Sequence, residues 1–141
     1  MKRFLIDTHC WLWTFLTPER LNEEAAALIG SEMHTVVFSA VSAWEIAIKV
    51  ALGKLRLPEP ADAYVGARVE RKGMKPMPIY IHHALRVAEL PLHHRDPFDR
   101  LLVAQAQAEG LPLMTGDPRI AEYDVDIIWA GRGASPRDNF A

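Results

Sequence analysis

The sequence places acidic residues where strands are predicted to end or helices to begin. The first follows the apolar run at 4–6, and the last follows an apolar segment that ends at Thr115. The other two lie near the starts of predicted helices. These four residues are Asp7, Glu45, Asp99 and Asp117. Ligands of open parallel sheets bind outside the carboxyl ends of the strands. The four carboxylates are therefore expected to converge if the strands are neighbours and the strand-to-helix turns share one edge.

Four unpaired carboxylates in one place repel one another and raise one another's pKa values. A divalent cation relieves that conflict. Carboxylate oxygens are hard ligands that suit Mg²⁺ or Mn²⁺. Such a cation can activate water and stabilise the charge that develops in phosphodiester cleavage. The pattern therefore indicates metal-dependent hydrolysis of a phosphodiester.

Each acid also has a purely structural interpretation as a helix cap or turn residue. Glu45 follows Ser42 at the spacing of a capping box. Asp99 follows Asp96-Pro97, a good helix start in which Asp96 is the better cap. Asp117 precedes a proline and suits a turn or an N-cap. The first acid can likewise cap the helix after it, so the functional interpretation depends on all four together.

Composition indicates an ordinary globular chain. Its 141 residues are 50% hydrophobic and 24% charged, with a formal net charge of −2. The net charge does not indicate nucleic-acid binding, although a local basic patch would be sufficient to bind a nucleic acid. The single cysteine, Cys10, excludes an internal disulfide and a CxxC zinc site, which favours a reducing cytosol. No apolar run reaches the roughly 18 residues of a membrane-spanning helix.

Predicted strands alternate with predicted helices along the chain. The strands are expected at 2–6, 35–39, 111–115 and 125–129. The helices are expected at 9–15, 22–31, from Ser42 to a stop at Gly53, 61–72, 81–89 and 97–109, and Asp117 begins either a turn or a short helix at 119–123. This alternation is typical of an α/β fold with a parallel sheet between two layers of helices. We expect one domain over residues 1–129 and a flexible tail over 130–141.

Four blocks of the sequence resemble the VapC group of toxin ribonucleases, which are PIN-domain proteins. In order they are FLIDTHCWLW, SAVSAWEIAIKVALGKL, HHRDPFDRLLVAQAQAEGLPLMTGD and VDII. Together they span residue 4 to about residue 128. The third block is long and specific, and it carries most of the resemblance.

This resemblance implies a PIN-like three-layer α/β/α fold with about four or five strands. It implies an acidic cluster of Asp7, Glu45, Asp99 and Asp117 that binds Mg²⁺ or Mn²⁺ and cuts single-stranded RNA, with Thr115 as a polar neighbour of the last acid. It also implies a homodimer, a cognate antitoxin that inhibits the enzyme, and a prokaryotic cytoplasmic location.

Other functions are compatible with parts of the pattern. PIN domains also process RNA without being toxins. An aspartyl-nucleophile phosphatase resembles the start of the chain, but it needs a second aspartate where this chain has His9. A receiver domain has an acidic pocket as well, but its strand-end lysine is not evident here. A non-catalytic binding module, in which the acids are only caps, would have no metal affinity.

Two histidine pairs and a basic stretch have structural interpretations that we favour. Residues 93–95 are interpreted as a solvated loop rather than as phosphate contacts. Residues 82–83 show no metal-ligand pattern, because helical neighbours do not face each other. The basic residues between 68 and 75 are interpreted as a polar helix face, with RNA or an acidic partner as the alternative.

Overall fold

The computed structural model describes the backbone of residues 1–140 and the side chains of residues 1–138. A five-stranded sheet forms the centre of this region, in the order β3-β2-β1-β4-β5, and every neighbouring pair is parallel. The strands are β1 (Arg3–Ile6), β2 (Thr35–Ser39), β3 (Lys75–Met77), β4 (Leu113–Thr115) and β5 (Ile127–Trp129). This arrangement confirms the predicted parallel α/β sheet.

Helices connect the strands and cover both faces of the sheet. They are α1 (Thr8–Leu16), α2 (Glu23–Gly30), α3 (Ala40–Ala51), α4 (Ala61–Arg71), α5 (Ile81–Arg86) and α6 (Pro97–Glu109). The region predicted as a turn or short helix at 119–123 is one short 3₁₀ turn, Ile120–Glu122. Within residues 1–140, no helix is both long enough and apolar enough to cross a bilayer.

The start of α3 differs from the prediction. The helix begins at Ala40 rather than at Ser42, and Ser39 is its N-cap. The Ser39 hydroxyl accepts a hydrogen bond from Val41 N at 3.0 Å. Ser39 is also the last residue of β2, so strand and helix meet with no intervening loop. A serine can serve both roles, because a cap residue keeps extended backbone angles.

Strand β3 is absent from the predictions, since Pro76 lies at its centre. Proline has no N–H to donate to a neighbouring strand and is therefore confined to sheet edges. β3 is such an edge, paired on one side with β2. Pro76 can therefore lie opposite Phe38 without removing a hydrogen bond that a second neighbour would need.

Alternating side chains of the strands build two apolar cores, one on each face of the sheet. Phe4 and Ile6 of β1 pack with residues of α1 to α4, whereas Leu5 packs with residues of α6. Trp11 is fully buried in the first core, where its ring lies 5.0 Å from that of Phe38. The two cores fix the directions of α1, α3 and α6. Three of the acids lie at or near the N-terminal ends of these helices.

The segment after β5 makes specific contacts with the domain. Gly131 forms an antiparallel bridge with Leu21, and Ala130 is fully buried. Farther on, the Arg137 guanidinium donates to the carbonyls of Ala121 and Tyr123 at 3.0 and 2.7 Å. The flexibility expected for residues 130–141 stays a prediction, and these contacts are where it can be measured.

Candidate metal centre

The acids meet at the carboxyl edge of the sheet because β1 and β4 are neighbours. Ile6 is paired with Met114, and Asp7 N donates to the Met114 carbonyl at 3.0 Å. Asp7 therefore lies beside Thr115, the last residue of β4. This is the adjacency on which the predicted convergence depended.

Thr115 joins the first and last acids of the cluster. Its hydroxyl donates to Asp7 Oδ2 at 2.6 Å and accepts from Asp117 N at 3.0 Å. The other oxygen of Asp7 accepts from Cys10 N at 2.7 Å and caps α1. The capping interpretation of Asp7 is thus confirmed, but it occupies only one of the two carboxylate oxygens.

Asp117 divides its oxygens in the same way. Its Oδ1 accepts from Arg119 N at 2.8 Å, which closes a local turn, while Oδ2 faces the cluster. Gly116, before it, is packed beneath Trp13, and a Cβ atom at residue 116 would lie 2.7 Å from the Trp13 ring. Glycine therefore lets the loop that carries Asp117 pass close under this indole.

Glu45 is fully buried on the second turn of α3. Its capping-box interpretation is wrong, because Ser42 is inside the helix and Ser39, not Ser42, accepts the capping hydrogen bond. Ser42 instead accepts a hydrogen bond from Thr8 at 2.9 Å, which ties α3 to the residue after Asp7. Glu45 Oε2 pairs with Lys49 at 2.5 Å, and Glu45 Oε1 has no hydrogen-bond partner.

Asp96 and Asp99 have separate roles, as the sequence predicted for the cap. Asp96 Oδ1 accepts from Phe98 N and Asp99 N at 2.8 and 3.1 Å and so caps α6. Asp99 lies in the first turn of the helix and is only 2% exposed. Its Oδ1 is buried without a hydrogen-bond partner.

Burial and mutual repulsion make this cluster electrostatically costly. Burial raises the pKa of Asp7 above its ordinary value. Burial, and then the charges of Asp96, Asp7, Glu45 and Asp117, raise the pKa of Asp99 to about 8. Without a cation, the Asp99 carboxyl therefore keeps a proton at neutral pH. Lys49 offsets the charge of only one acid.

His94 is a member of the cluster that the sequence analysis missed. The interpretation of 93–95 as a solvated loop is wrong for this residue, which is 7% exposed. Its Nε2 lies 3.0 Å from Asp99 Oδ2 and 2.9 Å from Asp117 Oδ2. One signal was available: His94 lies two residues before the helix cap, where a side chain can fold back over the first turn.

The donor set fits a divalent cation of the hard class. The cluster offers carboxylate oxygens, two of which are buried without partners, and a carboxyl whose pKa is raised by burial and then by neighbouring negative charge. A divalent cation would satisfy both oxygens and remove the repulsion. No cysteine lies among the ligands, so the set does not favour a soft metal.

The other features singled out in the sequence lie elsewhere. The rings of His82 and His83 are 4.3 Å apart, and Nε2 of each lies 3.6 Å from Glu109 Oε2. The prediction that they form no metal-ligand pattern is therefore wrong, since these three side chains bring potential ligand atoms together. Arg71 and Lys72 line a cavity together with residues at the start of β2. That basic stretch is thus near the amino-terminal ends of the strands, whereas the acids lie at their carboxyl ends.

Comparisons with known proteins agree with this architecture. The PIN domain family model matches residues 4–126. Ribonuclease VapC16 of Mycobacterium tuberculosis is 42% identical over 66 residues, which are 46% of this chain and 47% of that protein. The alignment thus spans about half the length of this curated relative.

Solved structures share the fold at low sequence identity. VapBC2 from Rickettsia felis, bound to a DNA fragment from its promoter, gives a TM-score of 0.67 at 13% identity, covering 90% of this chain and 98% of that one. DNA-bound VapBC from Salmonella typhimurium gives 0.63 at 20% identity, covering 91% and 98%. Since the family model covers most of the sequence and the fold agrees, this chain belongs to the PIN domain family.

Proposed function

We propose that this chain is a metal-dependent endoribonuclease that cleaves single-stranded RNA, with Mg²⁺ or Mn²⁺ as its cation. The observation that carries the proposal is the pair of buried, unpartnered oxygens, Glu45 Oε1 and Asp99 Oδ1, within a group of mutually repelling acids. A buried carboxylate oxygen without a partner is costly for a fold to keep. A cation-binding role explains why the cost persists.

Each acid has a role that follows from its contacts. Asp7, Asp99 and Asp117 would hold the cation, and Glu45 would complete the cluster from α3. A bound divalent cation activates water and neutralises charge on a phosphate. Thr115 keeps Asp7 and Asp117 at a fixed separation through its two hydrogen bonds. Lys49 holds one oxygen of Glu45, which would leave only the other for a cation.

We further propose that the chain is the toxin of a toxin–antitoxin pair, acting as a homodimer in the cytoplasm and inhibited by a cognate antitoxin. The curated relative is named a ribonuclease, and the solved structures described above are complexes named VapBC. An RNA-processing nuclease without a toxin role is the second candidate, and the same acids would serve it. A non-catalytic binding module is disfavoured by the two orphaned oxygens, which caps do not require.

The nuclease is tested with purified protein, freed of any copurifying partner, and a mixed pool of single-stranded RNA. Reactions contain Mg²⁺, Mn²⁺ or EDTA. Asp7→Asn is the matched inactive variant, because an asparagine still caps α1 but removes the charge. We expect cleavage with either metal, none in EDTA, and none with the variant. Equal cleavage by the variant would overturn the assignment of Asp7.

The toxin role needs a separate experiment. Expression of the wild-type chain in its host should arrest growth, and expression of Asp7→Asn to the same level should not. Co-expression of the protein encoded beside it should restore growth. RNA cleavage in vitro without growth arrest in the host would favour the RNA-processing alternative. Light scattering of the purified chain tests the homodimer.

A further inference from the structure

His94 connects two acids that come from different parts of the chain. Its Nε2 lies within 3.0 Å of one oxygen from Asp99, on α6, and one from Asp117, after β4. Through this ring the first turn of α6 is linked to the loop beyond the sheet edge. The side chain of His94 is nearly completely buried, so the contact is shielded from solvent.

Hydrogen bonding identifies which ring nitrogen carries the proton. His94 Nδ1 accepts a hydrogen bond from Asp96 N at 3.1 Å, and an accepting nitrogen carries no proton. The ring proton is therefore on Nε2, the nitrogen that faces Asp99 and Asp117. His94 is accordingly a hydrogen-bond donor to Asp117 Oδ2, and the same N–H lies 3.0 Å from Asp99 Oδ2. A nitrogen that carries a proton has no lone pair to offer to a metal.

The loop that carries His94 is held by its own contacts. His94 N donates to the Tyr123 hydroxyl at 2.9 Å, and Tyr123 is only 1% exposed. Arg100 donates to the same hydroxyl at 3.1 Å and to the carbonyls of Pro91 and Val87. The imidazole is thus presented from a fixed backbone, independently of the acids it contacts.

The contacts leave the other oxygen of Asp99 free. His94 takes Oδ2, whereas Oδ1 is buried without a partner. A carboxylate can serve a hydrogen-bond donor with one oxygen and a cation with the other. Ligating carboxylates are commonly oriented by hydrogen bonds of this kind, and loss of such a donor weakens metal binding.

We propose that His94 is a positioning residue of the metal centre: its Nε2–H donates to Asp117 Oδ2 and lies against Asp99 Oδ2, and thereby leaves Asp99 Oδ1 for a cation. This inference rests on the metal centre of the proposed function. It adds a residue outside the acidic set and gives it a role distinct from ligation. In a competing arrangement, the imidazole occupies the place of the cation. Removal of the imidazole would then strengthen metal binding instead of weakening it.

The test is a calorimetric titration of metal-free protein with Mn²⁺ for wild type, His94→Ala, His94→Gln and His93→Ala. We expect His94→Ala to bind Mn²⁺ about 10- to 100-fold more weakly. His94→Gln should recover part of that loss, because its amide N–H can donate to the same oxygens. His93→Ala is the matched control, since that side chain is 38% exposed and its acidic neighbour is Glu122, at 3.7 Å, rather than an acid of the cluster.

Three results would overturn the inference. Tighter binding by His94→Ala would show that the imidazole competes with the cation. Unchanged binding would show that His94 is only structural. Absence of Mn²⁺ binding to the wild type would refute the metal centre itself, which separates failure of the proposed function from failure of the role of His94. Thermal unfolding checks that each variant is folded, and His94→Gln serves alone if His94→Ala is not.

A second measurement does not depend on affinity. In ¹⁵N-labelled protein, the imidazole of His94 should show a proton on Nε2 both without and with Mg²⁺, a diamagnetic cation that leaves the signals visible. Transfer of the ring proton to Nδ1 on addition of Mg²⁺ would identify His94 as a ligand rather than a donor, and would overturn the proposed role.

Discussion

The molecule contains two groups of histidine and carboxylate side chains with similar ligand types and very different electrostatics. In one, His94 lies against Asp99 and Asp117 at the carboxyl edge of the sheet. In the other, His82 and His83 lie against Glu109 at the end of α6. Each group brings three potential ligand atoms close together, so geometry alone does not distinguish them.

Buried negative charge distinguishes them. The first group belongs to a set of four acids with two orphaned oxygens, and there the pKa of Asp99 is raised to about 8. The second has one carboxylate, Glu109, whose side chain is 34% exposed. His83 Nδ1 accepts from Tyr80 N at 3.0 Å, so its Nε2 carries the proton and is not available to a metal. Uncompensated charge, rather than ligand type, indicates the metal centre.

The largest expected effect is on cleavage by Asp99→Asn. This change removes one negative charge and one proposed ligand from the first group, and we expect loss of about 1,000-fold in the rate of RNA cleavage. Asp96→Asn is the matched control, three residues earlier on the same helix. Asparagine caps a helix as well as aspartate does, so activity should stay within a few-fold of wild type. Similar losses in both variants would remove the distinction between ligand and cap.

The pKa of Asp99 predicts how metal affinity depends on pH. Below about pH 8 the cation must displace a proton from this carboxyl, so the association constant for Mg²⁺ should increase about tenfold per pH unit from pH 6 to 8 and level off above that. Titrations at several pH values measure this slope. An association constant that does not change over this range would contradict the raised pKa.

The same shift predicts how the stability of the metal-free protein depends on pH. The folded pKa of Asp99, about 8, lies above its ordinary value of 3.8, so the folded state binds the proton more tightly than the unfolded state. The contribution of Asp99 to the free energy of unfolding is fully present below about pH 4 and is lost as pH rises toward 8. In EDTA, the unfolding midpoint of wild type should therefore decrease over this window relative to that of Asp99→Asn. Parallel curves would contradict the prediction.

A smaller effect is expected from Thr115→Val, which is nearly isosteric and removes the hydroxyl between Asp7 and Asp117. The lost hydrogen bonds should lower the free energy of unfolding by about 1–3 kcal/mol. They should also weaken metal binding modestly, since the two acids are no longer held together. Denaturant unfolding and calorimetry measure the two effects. Thr115→Ser keeps the hydroxyl and should retain both properties; an equal loss in this variant would point to packing instead.

The sequence predicted those features that local chemistry determines. The strand before Asp7, the helix over 97–109 and the Asp96 cap all follow from short patterns of apolar residues, proline and a capping acid. The four acids could be selected because parallel strands bring their carboxyl ends to one edge. Two of them, Asp7 and Asp117, prove to be both turn or cap residues and cluster members, since a carboxylate has two oxygens.

The features that the sequence did not predict depend on tertiary neighbours. Strand β3 contains Pro76, and only its place at the sheet edge makes it a strand. His94 resembles any loop histidine until Asp117, 23 residues later, is placed beside it. The orphaned oxygen of Glu45 is likewise visible only once Lys49 is seen to take the other oxygen.

The smallest expected effect, Glu109→Gln, tests the comparison most directly. Glutamine keeps the size of this partly exposed side chain and removes the carboxylate that contacts both His82 and His83. If buried charge is what makes a metal centre, the number of Mn²⁺ ions bound and their affinity should stay within about twofold of wild type, and stability within about 0.5 kcal/mol. Loss of one bound equivalent in Glu109→Gln, with the Asp99 centre intact, would show a second metal site. Proximity of potential ligand atoms would then be sufficient for metal binding, and the difference in buried charge would no longer explain which of the two groups binds metal.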